Sequence, residues 1–216
     1  MKFRLGGLLF VAMLAPGQTN KPIVDNERVT VWDNTWTKDQ PGFAAPADAD
    51  ALTVWLTGGN IRITLPDGKS REVRRKTGDA VFSPRGARWR ETWDGAGAPP
   101  HTIDIALKDH AEPKIPNSSG LPPAFPRPGA KKLIDNERIL VWDYRWAPGV
   151  ATPMHFHDKD ALVTYLENGD LTSMTPDGKK VVNPYTSGAV RFNPGNRSHQ
   201  EALTKGSQRA IIMEFK

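Results

Sequence analysis

Residues 153–169 read PMHFHDKDALVTYLENG, and residues 43–59 read FAAPADADALTVWLTGG. Both contain D-x-D-A-L and both run on to a glycine turn, 110 positions apart. The match reaches far beyond this pair. Val24-Asp25-Asn26-Glu27-Arg28 returns as Ile134-Asp135-Asn136-Glu137-Arg138, and Val31-Trp32-Asp33 as Val141-Trp142-Asp143. Trp36 matches Trp146, Pro66-Asp67-Gly68-Lys69 matches Pro176-Asp177-Gly178-Lys179, and Gly78 with Pro84 matches Gly188 with Pro194. The offset is constant from Val24 to about Glu91, so the chain is an internal duplication, and the repeat decides the fold. The copies differ at one telling place: His155 and His157 correspond to Ala45 and Ala47.

Each copy is a series of short apolar segments between turns. Arg28–Trp36, Leu52–Leu56, Ile61–Leu65 and Ala80–Ser83 are rich in Val, Ile, Thr and Trp. Gly58-Gly59, Pro66-Asp67-Gly68 and Thr77-Gly78-Asp79 separate them. In Pro-Asp-Gly the proline presets one backbone angle, Asp folds back on the chain and Gly accepts positive φ. Short strands at this spacing, without a long 3.6-residue period, predict an all-β sandwich or barrel. Six prolines fall between Glu112 and Pro128, which predicts a linker or extended crossing segment. The expected division is 21–108, a linker over 109–130, and 131–216.

With 38% apolar and 25% charged residues, the composition is that of a globular protein. There is no cysteine, so disulfides and thiolate metal sites are excluded and any metal must be held by His and carboxylates. No Lys/Arg stripe interleaves with aromatics, which argues against nucleic acid as a partner. The N-terminus places Lys2 and Arg4 before an apolar run from Leu5 to Ala15, the order of an export signal over residues 1–17. Without those two cations the balance is 27 − 24 = +3. The run is too short to span a bilayer, and no later stretch approaches that length. The expectation is a periplasmic or secreted protein.

In the second copy Gly149 precedes His155-x-His157 by five intervening residues; Gly188 similarly precedes Pro194, and His199 follows five positions later. This resembles the two-part signature of the cupin superfamily, G-x5-H-x-H and G-x5-P-x-G-x2-H. The resemblance covers about Lys21 to Lys216 and implies two tandem antiparallel jelly-roll barrels. It implies that His155, His157 and His199 bind one divalent transition metal, among Fe, Mn, Cu, Ni and Zn, in the second barrel. Alternation along a strand agrees, since residues i and i+2 share a face. Three neutral imidazoles leave the ion's charge uncompensated, which favours a small anionic ligand or substrate. The resemblance further implies small-molecule chemistry, most often dioxygenation, or else a non-catalytic binding, sensor or structural role, with a homodimer as a further expectation.

The chain departs from the family pattern at three places. Ala161 and Leu162 stand where a ligating Glu commonly follows the second histidine, Gly195 directly follows Pro194 so that Asn196 takes the usual glycine place, and Leu203 replaces a final Asn. Asp160 and Glu201 are therefore candidates for a fourth ligand. Asp50 and Glu91 match them in the copy that has lost its histidines, which argues for structural roles. Tyr165 and Arg191 are candidates for proton transfer and anion contact. The unarmed copy, with Trp89 at the place of His199, is expected to have a filled interior.

Overall fold

The computed structural model describes residues 21–40, 42, 48–111 and 115–216. Ala45, Ala47 and the leader lie outside them. The described residues form seventeen strands in four antiparallel sheets and no helix. In the first half, β1 (Val24–Asp25), β2 (Val29–Thr35), β8 (His101–Leu107), β3 (Asp50–Thr57) and β6 (Ala80–Ser83) make a five-stranded sheet in that order. Facing it are β5 (Ser70–Arg75), β4 (Gly59–Thr64) and β7 (Arg90–Trp93). In the second half the larger sheet runs β15 (Val190–Asn193), β12 (Ala161–Tyr165), β17 (Gln208–Phe215), β10 (Ile139–Trp146) and β9 (Lys131–Asp135). Its smaller partner runs β11 (His155–His157), β16 (Arg197–Gly206), β13 (Gly169–Met174) and β14 (Lys180–Tyr185). This is the jelly-roll arrangement expected from the sequence.

The two large sheets are apolar on both faces, and the period of two explains how. On β3, Leu52, Val54 and Leu56 pack in one cluster with Ile139 and Val141 of β10 and Ile211, Met213 and Phe215 of β17. That cluster joins the halves through the faces of their large sheets. The alternate residues turn inward: Trp55 of β3 joins Trp36, Ile61 and Trp93, while Trp142, Tyr144 and Trp146 of β10 join Tyr165, Leu171 and Ile212. Such sheets read as near-continuous apolar runs because neither face meets water.

Trp89, at the place of His199, is only half-buried and is not among the residues clustered in the first interior. Trp36 and Trp55 pack 5.0 Å apart, and Trp36 Nε1 donates to Thr102. Beside them Asp104 accepts from Asn34, Thr53 and Thr102. The proline-rich segment is more than a linker. Ala124 N–H donates to Phe156 O and Phe156 N–H to Pro122 O, so the segment lies along β11 and delivers Ala124 and Phe125 to the second core.

Candidate metal centre

Register brings the three histidines together. On β11, His155 and His157 face inward, and β11 pairs with β16 so that His155 stands directly opposite His199. The side chains are 3%, 6% and 8% exposed. His157 Nε2 lies 3.1 Å from His155 Nε2 and 3.2 Å from His199 Nε2, and the rings stand steeply to one another, at 63–90°. Two nitrogens each about 2.1 Å from one ion, at angles between square and tetrahedral, lie about 3.0–3.4 Å apart. The arrangement therefore fits a single cation.

The chemistry of one donor, His155, agrees, while His157 Nδ1 has no hydrogen-bond partner and His199 Nδ1 lies 3.3 Å from Arg197 Nη1. His155 Nδ1–H donates to Pro153 O at 2.8 Å, which leaves the Nε2 lone pair directed at the cluster, as an outer partner does in metal sites. Burial lowers the His155 imidazole to about 4 and, with Arg197, Arg127 and Arg191 adding to it, His199 to about 3. His157 is lowered as well, by burial first and then by Arg197. All three are neutral at pH 7, the state a metal requires.

The turn before β16 sets this geometry. Asn196 has φ +56° and its N–H donates to His157 O at 2.8 Å. Asparagine tolerates this conformation better than most residues, so it serves where the family pattern has glycine. Gly195 is needed for a different reason: a Cβ there would sit 2.6 Å from Ile115 and 3.0 Å from the Lys159 backbone.

The candidate fourth ligands separate. Asp160 accepts from Gly195 N–H at 2.7 Å and faces Arg28 of the other half at 3.8 Å. Its counterpart Asp50 accepts from Arg85 N–H at 2.7 Å and from Arg138 at 2.8 Å. Both aspartates tie a turn to the opposite half, and Asp160 is not in the three-histidine group. Glu201 does face the centre, its Oε1 3.9 Å from His199 Nε2. In the first half Glu91 is bound by Arg75, whereas the matching position of the second half is Tyr185. With no arginine at that position, Glu201 lies between His199 and Arg127, 3.9 Å from each.

A cavity of about 270 Å³ adjoins the cluster, with His157, His199, Tyr165, Arg191 and Glu201 on its wall. Tyr165 is 3% exposed and stacks on Tyr185 at 3.7 Å. Burial raises its phenol, so it can donate a hydrogen bond but not act as a base. Arg191 donates to Tyr185 Oη at 2.6 Å and Asn183 Oδ1 at 3.2 Å. His101 lies elsewhere, paired with Asp33. Sequence reasoning missed two wall residues, Arg127 and Arg197. Arg197 was findable, two positions before His199 on the same strand face; Arg127 was masked by the prolines around it.

No protein-family model matches the chain. Over 96 residues it is 33% identical to the beta-alanine degradation protein BauB of Pseudomonas aeruginosa, covering 44% of this chain and 95% of that protein. A cupin 2 conserved barrel domain protein from Leptotrichia buccalis is 15% identical, with a TM-score of 0.54 over 94% of this chain and 92% of that one. The salicylate 1,2-dioxygenase of Pseudoaminobacter salicylatoxidans is 12% identical, with a TM-score of 0.59 over 87% and 71%. The two structural likenesses speak for the fold, and the identity across nearly all of the first relative speaks for kinship. The chain belongs to the family of the beta-alanine degradation protein BauB and has the cupin fold.

Proposed function

We propose that this protein is a two-unit cupin in which only the second unit holds a metal, and that it is a metalloenzyme of dioxygenase type acting on a small anionic molecule. The observation that carries this reading is the convergence of three neutral imidazole nitrogens, 3.1 and 3.2 Å apart, beside a cavity. His155, His157 and His199 would hold one divalent transition ion, which supplies a Lewis-acidic and, for a redox-active ion, an electron-transferring centre. The chain's own residues do the rest. Arg127, Arg191 and Arg197 oppose the one carboxylate, Glu201, on the cavity wall, a net charge of 3 − 1 = +2 that favours anions. Trp146 and Ile212 exclude water behind the site, and Tyr165 offers a proton donor. Export through the leader belongs to the same proposal and is tested by the mass of the mature chain.

Azide addition to cobalt-substituted protein tests the open coordination that catalysis needs. A spectral shift that disappears in His199→Ala supports the enzyme. No shift at millimolar azide means a closed centre, filled by Glu201, and favours the alternative of a binding or structural cupin.

A further inference from the structure

Among the charged side chains inside the second half, Arg127 stands apart in its unmet hydrogen-bond donors. Arg127, from the proline-rich segment, is 7% exposed and lines the same cavity as His157 and His199. Its guanidinium lies 3.9 Å from the ring centre of Tyr144 and 4.5 Å from that of Phe125. Its Nε and Nη1 are buried without a hydrogen-bond partner. The nearest acid is Glu201, whose Oε2 is 3.9 Å from Nη2, beyond hydrogen-bond reach. The other cavity arginines differ. Arg191 donates to Tyr185 and Asn183, and Arg197 donates to Pro194 O.

Burying a guanidinium is costly unless charge and hydrogen bonds compensate. Stacking on aromatic rings offsets only part of that cost. A cation kept in this state beside a cavity attracts an anion, and its guanidinium fork matches a carboxylate in particular once the anion's entry uncovers the two sealed nitrogens. The cavity, about 270 Å³, has the volume of about nine waters, which bounds the occupant to a small metabolite. The rings beside the arginine suit an apolar or planar body.

We infer that Arg127 anchors the carboxylate of a small, organic carboxylate ligand whose other end lies over the three-histidine face, a reading that rests on the metal centre proposed above. Arg127 is then a specificity-determining residue, supplied by the segment between the two copies rather than by either repeat.

The test uses the full chain loaded with zinc, with metal content measured for every sample. Benzoate is the probe and benzamide its uncharged counterpart, both by calorimetric titration. Benzoate should bind the unaltered protein at least tenfold more tightly than benzamide. Arg127→Met, which keeps the packing length but no donors, should leave zinc content unchanged and weaken benzoate at least tenfold without affecting benzamide. Arg127→Lys, which keeps charge but not the fork, should fall between, and it decides the matter if Arg127→Met does not fold. Equal benzoate affinity in the unaltered and variant proteins, or no benzoate binding at millimolar concentration, overturns the assignment. Zinc content indifferent to His199→Ala would instead sink the metal centre, and the Arg127 comparison on that protein would still decide the anchor.

Discussion

Asp160 and Asp50 are single residues whose paired environments say more than their motif positions. Each accepts from the amide of the matching turn residue, Gly195 or Arg85, and each faces an arginine from the opposite half, Arg28 or Arg138. Asp160→Ala should therefore cost about 1–3 kcal/mol of stability, as loss of a part-buried hydrogen-bonded acceptor does, and leave metal content near that of the unaltered protein. Loss of metal as complete as in a histidine variant would make Asp160 a ligand after all. Asp104 offers a test by pH. Burial pushes its carboxyl from 3.8 up to about 6, against the lowering effect of its hydrogen bonds from Asn34, Thr102 and Thr53. A raised folded-state value means that the folded state binds the proton more tightly, so stability rises as pH falls through 6 and the gain is complete below 3.8. The full linkage is on the order of 3 kcal/mol, of which roughly half is realised by pH 5. Urea midpoints at pH 8 and pH 5 should thus move in favour of the unaltered protein relative to Asp104→Asn. Histidine titration, which runs in the opposite direction, is common to both and cancels. Midpoints that shift in parallel would contradict the buried, proton-hungry carboxyl.

At the scale of elements, the three histidines are positioned by two strands and one turn. Strand β16 places His199 opposite His155, while the turn at Asn196 sets where β16 begins and holds His157 O. Asn196→Gly should be tolerated within a few tenths of a kcal/mol, because glycine accepts the same positive φ. Asn196→Val should cost about 1–2 kcal/mol and weaken metal affinity in competition with a chelator, since the strained turn displaces β16. Equal chelator midpoints for the glycine and valine variants would separate the turn from the site. The strands most legible in the sequence were those with β-branched and aromatic runs: Leu52–Leu56 lies within β3, and Ile61–Leu65 overlaps β4 but overruns it by Leu65. Strand β5, SREVRR, was not legible, because it is charged and half-exposed and its pairing comes from β4 rather than from its own pattern. The three histidines were legible because strand alternation and motif spacing both mark them. Arg127 was not, since nothing local distinguishes a proline-flanked arginine in solvent from one sealed among aromatic rings.

For the whole molecule, duplication accounts for both the wall and the asymmetry. Matching faces of the two large sheets bury one another, and the matching pairs Arg138–Asp50 and Arg28–Asp160 cross the boundary. This is the self-complementary contact of a two-fold dimer, built here within one chain. Behind that wall the two interiors differ: the first packs Trp36, Trp55 and Trp93 together beside an Arg75–Glu91 pair, and the second holds three histidines and a cavity. How the halves would share a wall was not readable from residues 21–108 or 131–216 taken alone, because an apolar strand face does not name the surface that covers it. The most direct measurement of the division between the halves is metal stoichiometry. The full chain is stripped by chelator, titrated with zinc or cobalt, and compared with His155→Ala and His199→Ala. One tightly bound ion per chain is expected, lost in either variant while the melting of the metal-free protein changes little. Two ions per chain, or one that survives both substitutions, would contradict a single centre built by His155, His157 and His199.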